Sequence, residues 1–140
     1  MSTALESNIL IALWDADDTL HRTARELLEK TSAGGRLVIS GLVYAELLAA
    51  PGRTEAFLDS FCEDTRIGVE WELKERVWRE AGIAYQKYGE RRKRQGVNGP
   101  RRILADFLIG AHAMVNGYKL LTLDGKIYRV SFPRLVVETL

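Results

Sequence analysis

Arg102-Ile103-Leu104-Ala105-Asp106-Phe107-Leu108-Ile109-Gly110-Ala111-His112-Ala113, followed by Leu120-Leu121-Thr122-Leu123-Asp124, is the stretch that decides the fold of this chain. The first run reads as an apolar helix with a carboxylate in its first turns. The second reads as a buried strand ending on another carboxylate. Short strands alternating with helices build a parallel sheet with helices on both faces, and such sheets take ligands at the carboxyl ends of their strands. Asp106 and Asp124 can therefore meet over one small site. Two carboxylates aimed at one place repel unless a shared proton or a cation intervenes, and a hard divalent ion such as Mg²⁺ is the usual solution.

Working outward, two more acids are candidates. Glu6 stands at the mouth of the first apolar segment, in Thr3-Ala4-Leu5-Glu6-Ser7-Asn8-Ile9-Leu10-Ile11, and Glu46 follows the buried run Leu37-Val38-Ile39-Ser40. In a chain with 19 acids, spacing alone is a weak signal. For any one of them a solvated face or a helix cap is an equal reading.

Patterning predicts strands over 3–5, 37–40, 67–69, 119–122 and 135–137. A helix with Ser7 and Asn8 as caps fits 9–14, where periodicity alone also allows a longer strand. Further helices are expected from a cap at Asp18-Thr19 to about Lys30 and, after the strand ending at Ser40, through Glu46 to before Pro51. Others follow over 53–61, from Leu73 to about Arg94, and from about Arg101 to Asn116. The break at 96–100 places Pro100 in a first helical turn. The stripe Val77, Ala81, Ala84, Tyr85 and Tyr88 marks the buried face of the long helix.

Composition sets modest bounds. A chain of 140 residues with 46% hydrophobic and 28% charged residues fits one globular domain, 1–140. Twenty basic residues against 19 acids say nothing about partners, so any basic feature must be local. The single cysteine, Cys62, excludes an internal disulfide and fits a reducing, cytoplasmic setting. No apolar run is long enough to span a bilayer, and the start at Met1 lacks a basic signal-peptide region.

Four segments together carry a resemblance: Leu5 to Ile11, Ile39-Ser40 through Ala45-Glu46-Leu47-Leu48, Arg102 to Ala113, and Leu120 to Asp124. In this order and spacing the chain resembles PIN-domain proteins of the VapC-like toxin type. The resemblance implies a three-layer α/β/α fold around a central parallel sheet of four to five short strands. It implies an endoribonuclease dependent on Mg²⁺ or Mn²⁺, acting as the toxin of a toxin–antitoxin pair, homodimeric and neutralised by a cognate antitoxin. Glu6, Asp106 and Asp124 would hold the metal, with Glu46 as a further ligand or an orienter of the attacking water. RNA phosphodiesters would be hydrolysed by metal-activated water. Ser7 and Thr122 would support the carboxylates, although ordinary capping explains those hydroxyls equally well.

One departure stands out. The family opens its motif with Asp where this chain has Glu6, longer by one methylene or about 1.5 Å. Mg²⁺ demands near-ideal geometry at roughly 2.0–2.1 Å, so the change weakens binding or remakes the site through water. A natural variant, a degenerate site and an attenuated toxin all fit. The second reading is accordingly a catalytically weakened PIN module that binds RNA or an antitoxin.

Two other motifs compete for attention. Asp15-Ala16-Asp17-Asp18-Thr19 after Ile9-Leu10-Ile11-Ala12-Leu13 resembles the nucleophile loop of haloacid-dehalogenase-like phosphatases, with Asp15 attacking phosphorus, Asp17 as acid/base and Ser40 as second motif. That reading leaves Asp106 unexplained, and a polar turn at a helix start is the simpler account. The run Arg91-Arg92-Lys93-Arg94, joined by Arg101 and Arg102, is the one local charge concentration, suited to an RNA backbone or to a solvated helix end. Tyr85 and Tyr88 read as packing residues. Trp71 and Trp78 read as core or dimer packing, and His21 and His112 as surface and helix-face residues.

Overall fold

The computed structural model describes residues 1–97, 99 and 101–139. Five parallel strands, β1 (Thr3–Leu5), β2 (Leu37–Ser40), β3 (Gly68–Glu70), β4 (Lys119–Leu121) and β5 (Val137–Glu138), lie in the order β3-β2-β1-β4-β5. The helices are α1 (Ser7–Trp14), α2 (His21–Gly34), α3 (Gly41–Ala49), α4 (Glu55–Thr65), α5 (Glu75–Gln95), α6 (Leu104–Val115) and α7 (Gly125–Ser131). The inner strands read as continuous apolar runs because both faces are covered; every residue of β1 and β2 is buried.

The order of strands positions the site. The chain steps from β1 to β2 to β3 in one direction, then returns to lay β4 and β5 on the other side of β1. Right-handed crossovers then send the connecting helices to opposite faces, giving three α/β/α layers. The reversal between β1 and β4 opens a crevice at their carboxyl ends. Leu5 lies opposite Leu121, and the Glu6 N–H donates to the Leu121 carbonyl at 3.0 Å. Glu6 and the segment Thr122 to Asp124 therefore leave the sheet side by side.

Beneath the crevice α5 and α6 pack around Phe107, which is buried with ring centroids 4.9 Å from Tyr85 and 5.2 Å from Tyr88. Phe107→Ala is expected to cost about 3–5 kcal/mol through lost burial and the cavity left behind. A shifted urea midpoint at unchanged m-value would show it, and a loss below about 1 kcal/mol would mean that this cluster is not core.

Several boundaries differ from the sequence reading, and the reasons are local. Ser7 and Asn8 are not caps but first-turn residues of α1, whose N-cap is Glu6. The α2 helix begins at His21 rather than at Asp18-Thr19. There, Asp15 Oδ1 accepts the Asp17 N–H at 3.0 Å and Asp18 Oδ1 accepts the Leu20 N–H at 2.7 Å, turn bonds that compete with helix. The Thr54 hydroxyl accepts the Phe57 N–H at 3.1 Å, which delays α4 to Glu55. The α6 helix starts at Leu104, so Arg101 and Arg102 precede it. Pro100 lies outside the described residues. Gly96 and Gly117 take left-handed φ of 61° and 71° as α5 and α6 end, conformations that glycine adopts without a Cβ penalty.

The phosphatase reading fails on topology. Asp15 and Asp17 leave a helix, not a strand, and the Ser40 hydroxyl caps α3 by accepting the Val43 N–H at 3.4 Å. Trp71 and Trp78 are 63% and 55% exposed, so neither is a core residue of this chain. His112 is buried, with Nε2 2.8 Å from Glu70 Oε1. The short α7 was not anticipated, and it proves central to the site.

Candidate active site

The site grows from the end of β1. Glu6, only 7% exposed, turns the chain into α1. Its Oε2 accepts a close hydrogen bond from the Thr122 hydroxyl and another from Asn8 Nδ2 at 3.1 Å. Thr122 Oγ1 in turn accepts the Asp124 N–H at 3.0 Å and Asn8 Nδ2 at 3.3 Å, while Asn8 Oδ1 accepts the Leu123 N–H at 3.3 Å. The first turn of α1 is thus stitched to the β4–α7 turn through side chains, which is why its polar residues do not cap it.

The other acids arrive from three helices. Glu46, on α3, accepts the Ser7 hydroxyl at 3.1 Å through Oε1. Asp106 sits in the first turn of α6, and Asp124 is the N-cap of α7. The Asp124 carboxylate is closely paired with the Arg102 guanidinium. Two tyrosines of α5 fix that arginine: the Arg102 N–H donates to the Tyr88 hydroxyl at 2.8 Å, and the Tyr85 hydroxyl donates to the Arg102 carbonyl at 3.1 Å.

Electrostatics bind the acids into one group. Burial raises the pKa of Glu6 above its usual value; the Thr122 and Tyr128 hydroxyls oppose this, and the charges of Asp106 and Glu46 reinforce it. Burial likewise raises Glu46, partly offset by Ser7 and helped by Asp106. Asp106 is raised by burial, against the pull of Arg102 and its backbone hydrogen bond, with the Asp124 charge adding to the rise. These carboxylates sense each other, so they share one crevice. The buried Tyr128 hydroxyl, from α7, stands near enough to Glu6 to lower its pKa but makes no hydrogen bond of good geometry among the described residues. Burial, and then the Glu6 and Asp106 charges, push its ionisation upward.

The structure therefore brings Glu6, Glu46, Asp106 and Asp124 to one edge, with Ser7 and Thr122 hydrogen-bonded to Glu46 and Glu6. It divides the basic run. Arg102 is spent on Asp124, and Arg101 lies over the Tyr85 ring at 5.0 Å. Arg91 donates to the Ser131 hydroxyl at 3.2 Å and Arg92 to the Gly99 carbonyl at 2.9 Å, while Lys93 and Arg94 are exposed. Sequence reasoning missed Tyr128 and the bonding role of Asn8. For Asn8 the signal was present, a polar side chain two residues after an acid at a strand end. For Tyr128 there was none.

Donor chemistry fits a hard divalent cation: oxygen ligands from carboxylates whose charges raise one another's pKa. Among the described residues no group of three or more His, Cys, Asp or Glu stands close enough to close around an ion unaided. That suits Mg²⁺, which keeps several waters and is commonly held by one or two carboxylates together with substrate phosphate. Among the described residues no helix is long and apolar enough to cross a membrane.

Comparison with known proteins agrees with this architecture. The family model for the PIN domain matches residues 4–133. Similar solved structures include VapBC-1 from nontypeable Haemophilus influenzae, at 22% identity and a TM-score of 0.67, covering 99% of this chain and 98% of that one. VapBC2 from Rickettsia felis, bound to a DNA fragment from its promoter, is 21% identical with a TM-score of 0.65 and the same two coverages. Mycobacterium tuberculosis VapC20, a toxin that cleaves the sarcin-ricin loop, is 17% identical with a TM-score of 0.61, covering 96% of this chain and 98% of that one. At these identities the likeness is one of fold. No curated protein matches the chain.

Proposed function

Because the chain belongs to the PIN domain family, we propose that it is a metal-dependent endoribonuclease acting as the toxin of a toxin–antitoxin pair. The observation that carries the reading is the group of mutually repelling carboxylates, Glu6, Glu46 and Asp106, gathered where the strand order reverses. The solved VapBC structures of the same fold support an antitoxin partner. On this reading residues 1–140 form one PIN domain, cytoplasmic and homodimeric.

Glu6, Asp106 and Asp124 would hold Mg²⁺ or Mn²⁺, directly or through water, and the bound ion would lower the pKa of water and offset charge developing on the phosphate. The chain's own residues supply the rest. Ser7 occupies Glu46 Oε1, which orients that carboxylate, and its raised pKa makes it a better proton acceptor near neutral pH than an ordinary carboxylate. Asn8 and Thr122 fix the Glu6 carboxylate, and the buried Tyr128 hydroxyl adjoins it. The test is cleavage of a single-stranded or structured RNA by chain stripped of metal: activity should return with Mg²⁺ or Mn²⁺. Undiminished cleavage in EDTA would rule the mechanism out.

Arg102 competes with any cation for Asp124. Arg102→Ala is therefore expected to tighten Mn²⁺ binding several-fold, read by titration of the RNA-free protein. Unchanged or weaker binding would show that the ion pair does not oppose the metal.

A second reading, a weakened PIN module binding RNA or an antitoxin, is favoured by one observation: a single oxygen of Glu6 takes both the Thr122 and the Asn8 bonds. Glu6→Asp decides between them. A sharp rise in cleavage marks an attenuated site, and a fall marks a site built for Glu.

A further inference from the structure

Beside the acidic crevice lies a cleft of about 350 Å³ between α5, the residues preceding α6, and α7. That volume falls within the range of roughly 300–1,000 Å³ typical of small-molecule sites. Its lining is cationic along α5 and just before α6, with Arg91, Arg92 and Arg102, while α7 adds Lys126 beside the apolar Ile127 and Val130, the last 50% exposed. Gln95, with both a donor and an acceptor, lines it too. Asp124 lines the cleft as well, and its charge acts on Asp106, so the Arg102–Asp124 pair joins cleft and crevice.

We propose that this cleft is the subsite for one RNA nucleotide adjoining the scissile phosphate, its base on Ile127 and Val130 and its backbone phosphates toward Arg91, Arg92 and Lys126. The inference rests on the ribonuclease reading and deepens it. A nucleotide pairs a flat apolar body with a fixed negative charge, and the lining offers partners for both. Tyr88 lines the cleft as well, but its ring packs on Phe107 and is overlaid by Arg91 and Arg92 at 6.0 and 5.8 Å, and its hydroxyl accepts the Arg102 N–H. An acidic peptide would match the cations but would leave Ile127 and Val130 without a flat apolar partner. The division also sorts the basic run: Arg91 and Arg92 face the cleft, and Lys93 and Arg94 do not line it.

The test is fluorescence anisotropy of a labelled single-stranded RNA oligonucleotide of mixed sequence, with the full chain in EDTA so that binding is read without cleavage. Val130→Asp, on a half-exposed side chain, should weaken binding at least tenfold while the melting temperature holds. Lys126→Ala should flatten the dependence of log affinity on log salt by about 0.7. The double change Lys93→Glu with Arg94→Glu should weaken binding only two- to threefold. Equal or larger loss in that double variant, or unchanged affinity in Val130→Asp, would overturn the proposal. Poly-glutamate binding that falls in the cleft variants while RNA binding holds would also overturn it, assigning the cleft to an acidic peptide. Wild-type cleavage in Mn²⁺ with cleft variants unaffected removes the subsite and leaves the nuclease reading standing. RNA bound in the cleft with no cleavage under any divalent metal does the reverse.

Discussion

Replacing Asp106 by Asn lowers RNA cleavage at least 100-fold while the folded chain melts no lower than wild type. The first half follows from losing a charged oxygen donor: even the outer partners of metal ligands cost about 10–100-fold when removed, and a ligand costs more. The second follows from the environment of Asp106, where burial and the neighbouring acids make its charge unfavourable in the metal-free fold, so that a neutral amide relieves repulsion. Together the halves separate a functional acid from a structural one. A variant that loses activity because it unfolds would show a lowered melting temperature, and one that keeps activity would remove Asp106 from the site.

Metal-free protein gains stability as the pH falls, and a divalent ion erases that gain. Glu6, Glu46 and Asp106 each hold a proton more tightly when folded than their usual values of 4.5, 4.5 and 3.8. Their contribution to stability is therefore fully present below those values and is lost as pH rises through the folded ones. As the pH is lowered from the alkaline side toward those usual values, the melting temperature should climb in EDTA. Glu70 runs the other way. Burial raises its pKa, but the Tyr118 and His112 hydrogen bonds more than offset this and hold it below 4.5, so its stabilising share disappears only at lower pH, outside that window. Glu46→Gln should flatten the climb. At about pH 8, Mg²⁺ or Mn²⁺ at a hundredfold excess over its Kd should add about 2.7 kcal/mol, a shift of several degrees. A flat profile in EDTA, or no response to metal at the alkaline end, would mean that the acids are not electrostatically strained.

Much of this molecule is legible in its sequence because topology is generic. Fully buried parallel strands need continuous apolar runs, so 3–5 and 37–40 could be read without knowing what covers them. Acids placed after such strands must emerge at one sheet edge, which is how Glu6, Glu46 and Asp124 could be singled out. Helix starts were read less well where polar residues serve the site. Ser7 and Asn8 look like caps by type, yet their side chains reach Glu46, Glu6 and Thr122. The α7 helix escaped notice because seven residues interrupted by Lys126 and Arg129 carry no clear stripe. Arg102 illustrates the remaining gap. Sequence shows its charge and its basic neighbours, but its partner Asp124 lies 22 residues away, across two tyrosine hydrogen bonds that only the fold can supply.

If this acidic crevice hydrolyses RNA with water under divalent-metal control, the chemistry of the cut ends must show it. In Mn²⁺ the chain should cleave RNA to ends bearing a plain phosphate monoester and a free hydroxyl, with solvent ¹⁸O entering the phosphate and Asp106→Asn leaving the RNA intact. Products ending in a 2′,3′-cyclic phosphate, or label-free ends formed equally well in EDTA, would contradict the account.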